Sequence, residues 1–247
     1  MWTMGDRKRV LAAWEDLLRP TAPRTHKQGS TLFWQGDSKS EVLLLKQGLV
    51  KLNHTLPSGL ETLVQIRLPG QFIEWAPHCP GTPTVTATAV TKVEVYHISA
   101  DSFHRKVSGH CSALHLLSEV MRLDLYEALA ELIELKTLPT SERMILLLLR
   151  VAEAEGISTA GGPVRVHLPL KDHELAALLG ISKENFSRMR RKLERQHRII
   201  RVDQHVVIIP TMPEKLMPPN SRHSNANSFC PSALPQISCR KAITTAE

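Results

Sequence analysis

Short apolar runs separated by glycine and proline turns fill the first half of the chain. The expected strands are Leu32 to Trp34, Glu41 to Leu45, Leu49 to Leu52, Thr62 to Ile66, Thr84 to Ala89 and Val93 to Ile98. Many short strands joined by tight turns predict a β-barrel or jelly roll. Helical spacing of apolar residues predicts a leading helix from Arg7 to Leu18. A further helix is expected near Ala100, with Asp101 as its N-cap.

From Ala113 the apolar period changes to three or four residues, which predicts one long helix. Its apolar stripe is close to a heptad seam and consists of Leu114, Leu117, Met121, Leu125, Ala128, Leu132 and Leu135. The opposite face carries Glu119, Arg122, Glu127, Glu131 and Glu134. Such a stripe can pack on its own domain or pair two chains. Its position between two domains favours a dimer interface.

Past Pro139 the pattern predicts a small domain of short helices with one strand. Thr140 to Glu142 resembles an N-capping start, an apolar helix follows to Glu155, and Val164 to Leu168 alternates like a strand. A short helix from Asp172 to Leu179 then precedes Gly180, whose positive φ permits a tight turn, and Ser182 caps the next helix. Two short helices around a glycine turn predict a helix-turn-helix.

The second of these helices has a buried face, predicted from Phe186, Met189 and Leu193, and a polar face. An arginine can donate two hydrogen bonds to guanine, and a glutamate can accept one from cytosine. Arg188 and Glu184 are one turn apart, so both can face a major groove. The basic residues of this region are Lys183, Arg188, Arg190, Arg191, Lys192, Arg195, Arg198 and Arg201. A hairpin from Ile199 to Ile209 would form a wing.

Composition narrows the class of protein. The 247 residues carry a formal net charge of +7, which suits a nucleic-acid partner. The four cysteines form no C-x-x-C pair, and no apolar run is long enough to cross a bilayer. We therefore expect a cytoplasmic, non-enzymatic protein without a membrane partner. Domains are expected at residues 1–112, 113–138 and 139–213, with a disordered tail at 214–247.

The ordered chain, from about Lys27 to Pro210, resembles the CRP/FNR superfamily of bacterial transcription regulators. The motifs that carry the resemblance are Gly29 to Asp37, Leu43 to Val50, Leu68 to Ile73 and Ser182 to Arg188. The resemblance implies an α+β fold with a cyclic-nucleotide-binding-type β-roll, a dimerisation helix and a C-terminal winged helix-turn-helix. Glu184, Ser187 and Arg188 match the Glu-x-x-Ser-Arg pattern of the FNR-like branch.

That pattern implies a homodimer on a palindromic DNA site with TTGA-type half-sites, and RNA polymerase as a partner. Base contacts would fall on Lys183, Glu184, Ser187 and Arg188. Phosphate contacts are expected from Lys171, Ser182, Arg191 and Lys192.

The signal sensed by the β-roll is less evident. Pro83-Thr84 stands where cyclic-AMP-binding members carry Arg-Ser, which argues against cyclic AMP. The first 78 residues lack cysteine, which argues against an iron–sulfur cluster. His78 and Cys79 lie where haem-containing members carry iron ligands, so a haem-based sensor is one alternative. A cupin-like metalloenzyme and a ligand-binding module that does not bind DNA are the others, although His54, His78, His97 and His104 are scattered.

Overall fold

The computed structural model describes residues 4–19, 21–38, 41–74, 82–159 and 162–210. Helix α1 (Met4–Leu18) precedes two four-stranded antiparallel sheets, ordered β1-β8-β3-β6 and β2-β7-β4-β5. The strands are β1 (Arg24–His26), β2 (Thr31–Phe33), β3 (Glu41–Gln47), β4 (Val50–Thr55), β5 (Glu61–Arg67), β6 (Phe72–Glu74), β7 (Thr86–Ala89) and β8 (Val93–Ser99). The two sheets face each other and form the expected β-roll.

The alternation of side chains along β8 gives the first sheet two buried faces. Val93 and Val95 pack between the two sheets. Tyr96 and Ile98 point the other way, toward the helices. On that outer side the buried ring of Trp14 lies 5.1 Å from Phe72 and 5.6 Å from Phe103, centroid to centroid. The β-roll is therefore covered by α1 and by α2 (Ala100–Ser108), to which Phe103 belongs.

Helix α3 (Cys111–Thr137) turns its charged side inward. Arg7 of α1 forms an ion pair with Glu127, Arg67 of β5 lies 3.9 Å from Asp124, and Arg150 pairs with Glu134. Burial raises the pKa of Asp124 and of Glu127, against the lowering influence of the nearby arginines. The charged face opposite the predicted stripe is therefore the one that meets the protein, because the carboxylates of Glu127 and Glu134 face arginines of the same chain.

The apolar stripe of α3 points to solvent in this single chain. The exposed stripe residues are Leu114, Met121, Leu125, Ala128, Leu132 and Leu135, whereas Leu117 is partly buried against the α1 and α2 core. Exposure reaches 61% at Leu125. Tyr126, Leu129 and Ile133, which the sequence pattern does not single out, are exposed beside the stripe.

The C-terminal part packs helices and a small sheet around one apolar core. Its elements are α4 (Thr140–Ala154), β9 (Val164–His167), α5 (Asp172–Leu178), α6 (Lys183–Arg195), β10 (Ile200–Arg201) and β11 (Val206–Ile209). Strand β11 pairs with both β9 and β10 in an antiparallel sheet. Ile145, Phe186 and Leu193 are among the fully buried core residues.

The β-roll and the C-terminal part share a continuous apolar core. Leu49, Leu63 and Ile66 of the β-roll belong to the same buried cluster as Leu175 and Leu179. Polar contacts reinforce the junction, because the ammonium of Lys51 on β4 contacts the buried carboxylate of Glu174 on α5. This packing of α5 on the outer surface of the second sheet is not signalled by the local sequence pattern.

Several local predictions about where helices start differ from the structure. Ser99, not Asp101, caps α2, because its hydroxyl accepts a 3.3 Å hydrogen bond from the backbone N–H of Ser102. Helix α4 has Pro139 at its N-cap position and no side-chain cap. Helix α3 begins at Cys111, two residues before the expected start. His78, Cys79 and residues 214–247 lie outside the described residues, and no described helix could cross a membrane.

Candidate nucleic-acid interface

The turn between α5 and α6 has the geometry that the sequence predicts. Gly180 adopts a φ of +66°, a conformation that favours glycine. The backbone N–H of Asn185 donates to the hydroxyl of Ser182 at 3.2 Å, so Ser182 is the N-cap of α6. Leu175 and Leu179 are buried on the inner side of the motif. The two helices are therefore held at a fixed angle by a tight turn, a cap and a shared core.

Helix α6 has an inner face and an outer face. Phe186 and Leu193 are each only 1% exposed, and the predicted buried residue Met189 is half-buried. On the other side Glu184 and Arg188 are exposed. The residues predicted to contact bases are Lys183, Glu184 and Arg188, which are exposed, and Ser187, which is half-buried. The outer face is open to a macromolecular partner along its whole length.

Arg188 is oriented by a neighbour that sequence reasoning missed. Its Nη2 donates to Oδ1 of Asn185 at 2.7 Å, one helical turn earlier. An arginine held by one hydrogen bond loses less conformational freedom when it binds a planar acceptor pair. The spacing of three residues between an amide and a guanidinium is a signal that could have identified Asn185.

Glu184 is ionised on this surface. Its own backbone N–H, followed by the Ser182 hydroxyl, holds the pKa of the Glu184 carboxyl below its ordinary value. Both donors lie at the N-terminus of α6, where the helix dipole also favours negative charge. A carboxylate that stays ionised acts only as a hydrogen-bond acceptor, which suits the amino group of a cytosine.

Two of the eight basic residues in the predicted cluster face the protein instead of the outer surface. Arg190 contacts Asp172 of α5 at 2.5 Å and stacks over the ring of Phe186. Arg198 forms a bidentate pair with Glu142 of α4, at 2.7 and 2.9 Å. Both partners are distant in sequence from the arginines, so the local charge pattern does not reveal that Arg190 and Arg198 are paired.

The residues predicted to contact phosphates lie around the outer face. Lys171 is exposed at the start of α5, and Arg191 and Lys192 are exposed on α6. The Ser182 hydroxyl is exposed but accepts one hydrogen bond as a cap, and its single proton would have to turn away from Glu184 to meet a phosphate. Because Ser182 and Lys171 precede neighbouring helices, both sit where helix N-termini attract anions.

The predicted wing is formed by β10, β11 and the turn between them. One carboxylate oxygen of Asp203 accepts hydrogen bonds from the backbone N–H groups of His205, at 2.7 Å, and Val206, at 2.8 Å. These bonds hold the pKa of the Asp203 carboxyl below its ordinary value, and the bond from His205 has the larger effect. Arg201 and Val202 are exposed on the wing. The wing therefore presents a rigid, partly basic edge beside α6.

Pro83 and Thr84 stand at the position where cyclic-AMP-binding members carry an Arg-Ser pair. Pro83 is buried, and its carbonyl accepts a 2.9 Å hydrogen bond from the backbone N–H of Gly36. The carbonyl of Thr84 lies 2.6 Å from Nδ1 of His54. Neither side chain supplies a positive charge for a phosphate, and the absence of cyclic-AMP binding stays a prediction.

Comparison with known proteins matches both halves of the chain. The cyclic nucleotide-binding domain family matches residues 23–110, and the Crp-like helix-turn-helix domain family matches residues 142–216. The CRP-like cAMP-activated global transcriptional regulator of Mycobacterium tuberculosis is 27% identical over 173 residues, or 70% of this chain and 77% of that protein. The transcriptional activator protein FnrL of Cereibacter sphaeroides is 28% identical over 192 residues, 75% of each chain.

The chain belongs to the CRP/FNR superfamily. The structure of FixK2 from Bradyrhizobium japonicum has the same fold, with a TM-score of 0.62 at 17% identity, covering 76% of this chain and 92% of that chain. The predicted CRP/FNR fold class is thus confirmed. As a member of this superfamily, the protein is a DNA-binding transcription regulator, and its relatives in the comparison are regulators rather than enzymes.

Proposed function

We propose that this CRP/FNR protein regulates transcription as a homodimer that binds a palindromic DNA site with TTGA-type half-sites. Glu184, Ser187 and Arg188 would contact base edges in the major groove, with Lys183 beside them. Lys171, Ser182, Arg191 and Lys192 would contact phosphates and fix the register of the protein on the duplex. The protein would act in the cytoplasm and contact RNA polymerase there.

The proposal for base contacts rests on the outer face of α6. The guanidinium of Arg188 and the carboxylate of Glu184 are exposed one helical turn apart. One group donates two hydrogen bonds and the other accepts, so together they can select a guanine and a cytosine. The Asn185 amide holds the guanidinium on this face before DNA is bound.

The proposal for a homodimer rests on the inside-out arrangement of α3. Its carboxylates face arginines of the same chain, and its leucines face solvent. Exposed leucines at three- and four-residue steps along one helix are unfavourable in water and favourable against a matching helix. A second copy supplies that match, because a two-fold axis brings the same stripe to itself. Two copies of α6 could then enter successive major grooves.

The junction between the β-roll and α5 supports control by a signal sensed in the β-roll. The shared apolar core and the contact of Lys51 with Glu174 couple the second sheet directly to the first helix of the DNA-binding motif. A ligand that shifted β4 or β5 would shift α5 with them. Such a shift would change the spacing of the two recognition helices in a dimer.

The single observation that carries the proposal is the exposed pair of Arg188 and Glu184 on a rigid helix-turn-helix. The test begins with selection of bound sequences from random duplex DNA. Fluorescence anisotropy then measures affinity for the selected duplex and for a shuffled duplex. Arg188→Ala is expected to cost about 1–3 kcal/mol on the selected duplex and much less on the shuffled one.

Arg19→Ala is the matched control, because Arg19 is an exposed arginine beside α1, pairing only locally with Asp16 at 3.1 Å. It should leave both affinities unchanged. Equal affinities of Arg188→Ala and the unaltered protein for the selected duplex would refute the base contact. Selection that returns no common sequence would refute sequence-specific binding.

A further inference from the structure

Two histidines from neighbouring strands meet on the inner face of the first sheet. Nε2 of His26 on β1 lies 3.0 Å from Nε2 of His97 on β8, and the ring centroids are 5.2 Å apart. In the strand register His26 is opposite Val93, and His97 is opposite Leu43. Val93 and Leu43 belong to the core between the sheets, so both imidazoles are directed to that side.

A carboxylate fixes the tautomer of one of the two rings. Nδ1 of His97 lies 2.8 Å from Oε2 of Glu41 on β3. An ionised carboxylate only accepts hydrogen bonds, so Nδ1 of His97 must carry the proton. In the neutral ring Nε2 then holds a lone pair, and this lone pair is directed at Nε2 of His26. The side chain of His97 is only 8% exposed, so its orientation is set by the fold.

The proton on Nδ1 of His97 also determines the role of the His26 ring. Without a metal ion, His26 donates its Nε2 proton to His97. Two imidazoles whose Nε2 atoms lie 3.0 Å apart, one of them backed by a carboxylate through Nδ1, resemble the arrangement in which proteins commonly hold transition metals.

We propose that His26 and His97 together bind a divalent transition-metal ion such as Zn²⁺ through their Nε2 atoms, with Glu41 orienting His97 from the outer shell. Zinc–nitrogen bonds of about 2.0–2.1 Å at a tetrahedral angle place the two nitrogens about 3.4 Å apart. The present separation of 3.0 Å is close to this value, and both rings must turn so that their Nε2 lone pairs meet at the ion instead of facing each other. The proton of His26 moves from Nε2 to Nδ1, so no proton leaves the pair.

The ion would keep open coordination positions. Among the described residues no group of three or more histidine, cysteine, aspartate and glutamate side chains could surround one ion. Water would therefore complete the coordination shell, in contrast to structural zinc sites, whose four ligands all come from the protein. Glu41, the first residue of β3, is 38% exposed and lies 3.9 Å from Arg24. The site is therefore reached from solvent at the N-terminal end of β3.

This inference goes beyond the proposed function and does not depend on DNA binding. Strand β1 follows α1, whose Arg7 contacts Glu127 of α3. An ion that tied β1 to β8 would stiffen the connection between the β-roll and the helix proposed to pair two chains.

The test uses the metal-free full-length protein and isothermal titration with Zn²⁺. His26→Gln and His97→Gln should each remove the same single binding event. Glu41→Gln should weaken that event about 10- to 100-fold, because loss of an outer-shell partner has an effect of this size. His104→Gln is the matched control, since His104 is an exposed histidine on α2, and it should leave the event intact.

A second measurement on the unaltered protein covers the case in which a variant fails to fold. Long-range ¹H–¹⁵N spectra report each imidazole nitrogen separately, and Zn²⁺ should shift Nε2 of both His26 and His97 while Nδ1 of His97 remains protonated. If Zn²⁺ leaves both Nε2 signals unmoved, or if His97→Gln titrates like the unaltered protein, the proposed site does not exist.

Discussion

The ammonium group of Lys51 on β4 contacts the carboxylate of Glu174 on α5, which is 123 residues later in the chain. Glu174 also accepts a 2.8 Å hydrogen bond from the backbone N–H of Lys171. The side chains of Lys51 and Glu174 are 22% and 11% exposed. One carboxylate thus joins the second sheet of the β-roll to the first helix of the DNA-binding motif.

This contact should stabilise the folded protein measurably. Lys51→Met leaves the carboxylate of Glu174 without its charged partner, and hydrogen bonds to charged groups contribute about 1.5–3 kcal/mol. We expect each of Lys51→Met and Glu174→Gln to lower the free energy of unfolding, and the double variant to lose less than the sum of the two. Urea unfolding of the four proteins gives the coupling energy. Strict additivity would show that the pair contributes nothing.

The same carboxylate predicts a pH dependence. Burial alone would raise the pKa of Glu174, but hydrogen bonds from Lys51 and the backbone of Lys171 outweigh it and hold the pKa below 4.5. Its stabilising contribution is therefore complete above pH 4.5 and is lost as the pH falls through the lowered value.

The measurement is the difference in unfolding free energy between the unaltered protein and Glu174→Gln, which isolates this group from the other carboxylates. That difference should be constant near neutral pH and shrink in acid. A difference that grew below pH 4.5 would contradict the direction of the shift.

Leu125→Asp should dissociate the proposed dimer. Leu125 is 61% exposed at the centre of the α3 stripe, so the change leaves the core of the single chain intact. A charge buried between two helices is strongly unfavourable. Sedimentation should show twice 27.7 kDa for the unaltered protein and 27.7 kDa for the variant.

Val202→Asp is the control for this experiment, since Val202 is also an exposed apolar residue, 53%, but lies on the wing. It should remain dimeric. Monomeric sedimentation of the unaltered protein at high concentration would rule out the role proposed for α3.

Arg191→Ala should weaken binding to every duplex by a similar factor. Arg191 is exposed on α6 and is proposed to contact a phosphate, which carries no sequence information. The slope of log affinity against log salt concentration should become shallower by about 0.9, because the variant neutralises one phosphate fewer. Arg188→Ala, by contrast, should act mainly on the selected sequence. An unchanged salt slope for Arg191→Ala would place Arg191 away from the backbone.

The parts of the fold that depend on local chemistry were predictable from the sequence. The Gly180 turn and the Ser182 cap follow from backbone and side-chain properties of a few adjacent residues. Strands β1 and β6 were missed because three residues are too few to show alternation, whereas the equally short β2 was found from its apolar run Leu32 to Trp34. The α2 cap was misplaced because Ser99 and Asp101 are both good N-cap residues, and the packing of β8 decides between them.

What the sequence could not predict are contacts between distant residues. The partner of Arg198 lies 56 positions away, and the Glu41 carboxylate that orients His97 lies 56 positions earlier. Helical periodicity located the apolar and charged faces of α3 correctly, but it could not tell which face meets the protein. That outcome depends on where Arg7, Arg67 and Arg150 come to lie.

The two faces of α6 are proposed to have separate tasks, and this has an evolutionary consequence. The inner face anchors the helix through the buried Phe186 and Leu193 and through the ion pair of Arg190. Glu184 and Arg188 are exposed and make no contribution to the core. Substitutions at the outward positions can therefore accumulate without unfolding the protein. A descendant of this regulator could acquire a new set of target promoters through one or two codon changes while its scaffold stays intact.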